Sequence, residues 1–329
     1  MSNRKWSLGL IVLVILFGFA LFQFISSTMK IDHMVEQLEQ GQSVQKTIKH
    51  IVLIAQELDN PFWRVMEEGA REAADRFGMK IDYMGPIRIN PAEQMKLLER
   101  SIAARPDAIL VQGISDPDYD LLIADAIDQG IPVITVDADE PGSRRLAYVG
   151  IDNREAGEQL GELVAQDTVG RGKIGIIMGS QQADNQQLRL DGFRSAIEAF
   201  TNLEIVDVRY SNISRIGAAQ QTEAMLKQHD DIDIIIGLSA LDALGILEAA
   251  KAADREDVLV YGFDDMEQTR QNIAQGSMMA TIVQQPREIG AKAIELLDKY
   301  FKGGKLSDQY FIGTAVLQST MREAYADNR

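Results

Sequence analysis

The 329-residue sequence contains no cysteine. That excludes a disulfide framework, a cysteine zinc site, a thiol nucleophile and the N-terminal cysteine of a lipoprotein. Histidine is almost as scarce. His33, His50 and His229 lie far apart, which argues against a histidine metal site. Positive charge is in deficit, since 33 Lys and Arg face 49 Asp and Glu for a net charge of −16. A face basic enough for nucleic acid or an anionic membrane surface is therefore not expected. Catalytic signatures are missing too. There is no GxSxG, no GxxxxGK[ST], no HExxH and no GxGxxG opening a helix. VGRGKIG at 169–175 is glycine-rich but leads into a strand, so it does not read as a phosphate loop. What is present is globular: 46% apolar and 25% charged residues, in a length that suits about two domains.

The N-terminus carries the one long apolar run. Residues 1–7 hold Arg4 and Lys5, and residues 8–25 contain no charge and a single polar side chain, Gln23. As a helix this run spans about 27 Å, close to the hydrocarbon thickness of a bilayer. It is longer than the apolar part of a typical secretory signal, and cleavage after Gly18 or Ala20 would leave an apolar new terminus. The expectation is an uncleaved transmembrane anchor over 8–25, with 1–7 cytoplasmic and the remainder outside. A removed signal is the competing reading. Residues 26–47 form a polar juxtamembrane spacer with Ile31, Met34, Val35 and Leu38 at i, i+3, i+4 and i+7. That stripe suits either a pairing helix or a plain spacer.

From residue 48 short β-branched runs alternate with amphipathic segments. Strands are expected at 50–55, 80–84, 107–112, 132–137, 146–150, 173–179, 204–210, 231–237, 257–263 and 279–284, with final strands around 309–318. Asn60-Pro61, Asn90-Pro91 and Asp116-Pro117 read as helix starts, and Gly78 as a helix stop. The pattern predicts an α/β protein with two similar, doubly wound parallel-sheet lobes. The units break near 150–153. The first lobe is expected to take 48–150 plus about 285–313. The second takes 151–284 plus about 314–320, and 321–329 form a tail.

In such sheets ligands sit beyond the carboxyl ends of the strands. Those loops carry Gln56, Asp59, Asn60, Phe62 and Trp63, then Asp137 and Asp139, then Ser180 to Asn185, Asn212, Ser239, Asp264, Asp265 and Gln284. Carboxylates, amides, a hydroxyl and aromatics suit a polyhydroxylated neutral ligand, with polar groups at the ring edge and apolar groups on its faces. None of these residues forms an activated nucleophile, so no catalytic residue, cofactor or metal is expected.

Seven ordered segments carry a family resemblance: 59–78 (DNPFWRVMEEGAREAADRFG), 106–113, 130–139, 148–157, 189–197, 260–266 (VYGFDDM) and 280–295. Over roughly 48–320 the sequence resembles the periplasmic sugar-binding proteins of the ribose/galactose class, whose lobes also occur in lactose-repressor-type regulators. The resemblance implies a hinge of three chain crossings and a ligand clamped between the lobes. It puts Asn60, Phe62, Trp63, Asp137, Arg189, Asp264 and Gln284 on the ligand. Gln56, Ser239, Asp242 and Phe263 complete the candidate set. Asp152 and Asn153 read as helix caps at the lobe crossing.

The departures from ribose binders lie at Ala138, at Ser239-Ala240 and at Ile213, so the hydroxyl pattern that is read is expected to differ from ribose. The amide-rich stretch 181–185 and Gln56 are the positions offered for that difference. The function implied is an extracytoplasmic binding protein for a pentose or hexose that presents its closed form to a membrane partner. A sensor histidine kinase is favoured, and the permease of an ABC importer is the alternative. A repressor is disfavoured because residues 1–47 hold no helix-turn-helix pattern, and an enzyme because the loops carry no catalytic constellation.

Overall fold

The computed structural model describes residues 48–180 and 183–319, with 18, 21, 23 and 26–30 near the N-terminus. It divides into two units, Met1–Ile48 and Lys49–Arg329. In the first unit residues 18, 21, 23 and 26–30 are helical. No helix among the described residues is long and apolar enough to cross a membrane. The anchor expectation falls on 8–25, most of which lies outside the described residues, as do 31–47 and 320–329.

The second unit holds two six-stranded sheets. The first contains β1 (Lys49–Ile54), β2 (Met79–Met84), β3 (Ala108–Val111), β4 (Val133–Val136), β5 (Ala147–Gly150) and β11 (Gln309–Phe311), in the order β11-β5-β4-β3-β1-β2. The second contains β6 (Arg171–Met178), β7 (Asn202–Tyr210), β8 (Ile234–Gly237), β9 (Leu259–Phe263), β10 (Ala280–Val283) and β12 (Ala315–Gln318), in the order β12-β10-β9-β8-β6-β7. Every pairing is parallel except β10 with β12. The central strands are short runs such as AILV, VITV and IIIG, buried at every position. Helices cover both faces of a parallel sheet, so its strands read as continuous apolar runs rather than alternating ones.

The helices follow from their end signals. α1 (Pro61–Phe77) starts at Asn60, whose Oδ1 accepts from Phe62 N at 3.0 Å, and ends at Gly78 with φ 69. α2 (Pro91–Ala104) and α3 (Pro117–Asp128) are capped by Asn90 and Asp116. Each places proline in its first turn, where the missing N–H leaves no hydrogen bond unmade. α4 (Asn153–Asp167) is capped by Asp152 alone, Glu155 N donating to its Oδ1 at 3.0 Å. Asn153, expected as a second cap, is instead buried with its side chain turned toward the lobe crossing. α5 (Asp184–Ile197), α6 (Arg215–Gln228), α7 (Asp242–Ala252), α8 (Glu267–Gln275) and α9 (Pro286–Phe301) complete the set.

The chain passes between the sheets three times: after β5, after β10, and between β11 and β12. Its first return brings α9 back onto the first lobe, where Leu297, Ile294 and Ile289 join the core built by Met66, Ala70, Leu53 and Val136. In the second lobe α4 and α5 approach at two glycines. A Cβ at Gly157 would lie 2.0 Å from the Arg189 carbonyl oxygen, and one at Gly192 would lie 2.0 Å from that of Arg154. Only glycine allows that separation. It brings the backbone of Arg189 against α4, beside the first crossing.

Candidate functional site

The carboxyl ends of β1, β3 and β4 in one sheet and of β6 to β10 in the other converge on a single cavity of ≈ 390 Å³. The first lobe contributes Gln56, Asn60, Phe62, Trp63, Gln112 and Asp137; the second contributes Asn185, Gln186, Arg189, Ile213, Ser239, Ala240, Asp264 and Gln284.

Two carboxylates and one guanidinium set the electrostatics. Asp137 follows β4 and Asp264 follows β9, both in the left-handed region at φ 66. Non-glycine residues there carry local strain, and it concentrates at functional positions. Asp137 Oδ2 accepts from Gln112 Nε2 at 2.6 Å and faces Asn185 Nδ2, from the other lobe, at 3.4 Å. Asp264 Oδ1 accepts from Gln284 Nε2 at 3.0 Å. Burial pushes both carboxyls up, Asp264 to about 6, and the positive charge of Arg189 opposes the rise in each.

Arg189 is 2% exposed and held on three sides. Its Nε donates to Asn153 Oδ1 at 2.9 Å, its Nη1 donates to Leu238 O at 2.9 Å, and its guanidinium lies 4.4 Å from the Phe263 ring centroid. The remaining nitrogen, Nη2, is buried without a hydrogen-bond partner, as is Gln284 Oε1. One orphan donor and one orphan acceptor, next to two buried carboxylates, are the complement of hydroxyl groups, which donate and accept at once. The aromatic wall is Phe62 and Trp63, whose rings meet edge to face at 5.9 Å. Trp63 is 2% exposed and belongs chiefly to the first-lobe core, so it shows the cavity only part of its surface.

Nine of the eleven candidate residues line the cavity: Gln56, Asn60, Phe62, Trp63, Asp137, Arg189, Ser239, Asp264 and Gln284. Two do not. Asp242 is fully buried beneath it, accepting from Ser211 Oγ at 2.5 Å, Ser239 N at 2.9 Å and Ser239 Oγ at 2.6 Å. It holds the loop that carries Ser239, and burial raises its carboxyl to about 6. Phe263 is fully buried under Arg189 and supports the guanidinium instead of the ligand space.

Five lining residues were outside the candidate set: Gln112, Asn185, Gln186, Ile213 and Ala240. The signal for Asn185 was the amide-rich stretch after β6, and Ile213 and Ala240 stood at the family departures. Gln112 closed an expected strand with nothing to mark it out. Gln186 anchors its loop by accepting from Gly179 N at 2.6 Å and Ser180 N at 3.0 Å. Asp265, the other carboxylate of that loop, pairs with Arg270 on α8. The lining contains no His or Cys, and no group of His, Cys, Asp and Glu among the described residues is placed to hold a metal ion.

Residues 51–305 match the family described as periplasmic binding protein domain. The ribose import binding protein of Escherichia coli K12 is 28% identical over 261 residues, covering 79% of this chain and 87% of its own length. The solved structure of GanP, a glucose-galactose binding protein from Geobacillus stearothermophilus, is 37% identical with a TM-score of 0.80, covering 82% of this chain and 97% of that one. A chain from the XylFII-LytSN complex is 32% identical with a TM-score of 0.79, covering 83% and 98%.

Proposed function

The chain belongs to the periplasmic binding protein domain family, and from that premise we propose that it binds one small neutral sugar, a pentose or hexose, between its two lobes outside the cytoplasm. The observation that carries this reading is the pair of buried, unpartnered atoms, Arg189 Nη2 and Gln284 Oε1, beside Asp137 and Asp264. Sugar hydroxyls complete all four groups, and Phe62 with the exposed part of Trp63 covers an apolar ring face. Asp137 belongs to one lobe and Arg189, Asp264 and Gln284 to the other, so a bound sugar stabilises the closed arrangement over any open one. Chemistry on the sugar is not part of the reading: the one hydroxyl of the described lining, that of Ser239, is tied to Asp242 together with the Ser239 amide, an arrangement that holds its loop.

The closed form is read by a membrane partner, and residues 8–25 keep the protein at the membrane beside it. We favour a sensor histidine kinase. The likeness to a chain solved in the XylFII-LytSN complex supports a dedicated protein partner. The second reading, an ABC importer's permease, has its support in relatives named as import binding proteins. A thermal-shift screen of pentoses, hexoses and polyols tests the ligand class, because a ligand that binds only the folded state raises its Tm. Cross-linking in native membranes with sugar present then separates the partners: a histidine kinase captured supports the first reading, a permease the second.

A further inference from the structure

Tyr148 on β5 and Asn153, the first residue of α4, stand on either side of the first crossing between the lobes. Both are buried. The Tyr148 hydroxyl donates to two carbonyls, Asp137 O at 2.9 Å in the first lobe and Ile151 O at 3.1 Å in the crossing. It packs so closely on the chain that a Cβ at Gly150 would lie 2.0 Å from it. From the far side of the crossing, Asn153 Nδ2 faces the Tyr148 hydroxyl and Ile151 O, at 3.4 Å each. Asn153 Oδ1 accepts from Arg189 Nε at 2.9 Å.

The chemistry of the partners gives this chain of bonds one direction. A carbonyl only accepts and an arginine Nε only donates, so the Asn153 amide turns its nitrogen to Ile151 and its oxygen to Arg189. Burial, with Asp137 next, raises the Tyr148 hydroxyl above the ordinary tyrosine range, so it keeps its proton to donate. Arg189 Nε is held by Asn153 and Nη1 by Leu238 O, which fixes the guanidinium in its own plane. Nη2 is the nitrogen left for the cavity.

We propose that Tyr148 and Asn153 are positioning residues, a hydrogen-bonded bridge over the first crossing that sets Arg189 Nη2 of one lobe in register with Asp137 of the other. The proposal rests on the sugar reading for what that register serves, but none of the bridge's contacts involves the ligand. Neither side chain lines the cavity. The bridge reaches both halves of the clamp from behind, through the backbone carbonyl of Asp137 and the Nε of Arg189. Members of one buried hydrogen-bond network act as a unit, so removing the hydroxyl at one end is felt by the guanidinium at the other.

Nuclear magnetic resonance of the arginine Nε–H groups in the full chain, without sugar, reads the bridge directly. The Arg189 signal is identified by its loss in Arg189→Lys, and its buried hydrogen bond is expected to protect it from exchange with water. Asn153→Leu is expected to abolish that protection, and Tyr148→Phe to shift the signal and speed its exchange about fivefold or more. Calorimetric titration with D-ribose, D-xylose, D-arabinose, D-glucose and D-galactose then reads the consequence. For the sugar that binds the wild type, Tyr148→Phe is expected to weaken affinity about tenfold, and to add little further in an Arg189→Lys background. A tyrosine that only stabilises the crossing would lower the Tm while leaving the Arg189 signal and the affinity of the folded protein unchanged, and that result would overturn the bridge. So would an Arg189 signal that exchanges freely in the wild type, or one untouched by Tyr148→Phe. Binding of none of the five sugars would count against the sugar reading alone, because the signals recorded without sugar still decide the bridge.

Discussion

Asp137 and Asp264 occupy the same place in the two lobes. Each follows the fourth strand of its lobe, each has φ 66, and each accepts from a glutamine at the end of the neighbouring strand, Gln112 or Gln284. Arg189 is the cation that acts on both. The ligand space thus has two carboxylates related by the repeat of the fold and one cation that breaks the relation.

Removing charge at this pair is expected to trade function for stability. Asp264→Asn keeps a side chain that tolerates a left-handed backbone. Its carboxyl, raised from 3.8 to about 6, opposes folding by up to about 3 kcal/mol once ionised. That penalty is absent at low pH and grows as pH rises from about 4 to 6. Above pH 7, Asp264→Asn is expected to raise the ligand-free Tm while weakening sugar binding at least tenfold. Calorimetry with and without sugar checks both signs together.

Arg189 anchors the opposite charge. Arg189→Lys keeps a cation but loses the planar fork that reaches Asn153, Leu238 and the cavity. Affinity is expected to fall by about 2–3 kcal/mol, the scale for truncating a buried charged hydrogen-bond donor. Titration calorimetry of the folded variant measures it.

The two aromatics are expected to separate. Phe62 is partly exposed at the cavity, whereas Trp63 is built into the core with Met66 and Ala70. Phe62→Ala is expected to cost about 1–2 kcal/mol of binding with little change in Tm. Trp63→Ala is expected to cost about 3–5 kcal/mol of stability. Urea unfolding curves beside binding isotherms make the comparison.

Central strands such as β3, β4 and β8 were legible because each is a short β-branched run buried at every position. The helix starts at Asn60, Asn90 and Asp116 were legible because an acceptor side chain followed by proline has one use in a parallel α/β fold. Much of the cavity could be read from the rule that strand ends face the ligand. The direction of a side chain within a loop could not. Asp242 lies three residues past Ser239, and whether it turned up to the cavity or down to the Ser239 amide depended on the tight turn between them, which linear spacing does not encode. Gln112 and Gln186 escaped because an amide at a strand end or first turn becomes a lining residue only once the partner lobe stands opposite it.

Residues 8–25 carry their own expectation. Intact-mass measurement of the membrane fraction is expected to give the full chain, Arg4 and Lys5 included. A soluble exported species beginning after Ala20 would remove the anchor.

The most direct test of the account is calorimetric titration of the wild-type chain and of Asp137→Ala and Arg189→Met with D-ribose, D-xylose, D-arabinose, D-glucose and D-galactose. The account predicts one-site binding of at least one of these sugars to the wild type. It predicts at least tenfold weaker binding in each variant, because each removes one lobe's half of the clamp. No binding of any of the five sugars, or undiminished binding in both folded variants, would contradict it.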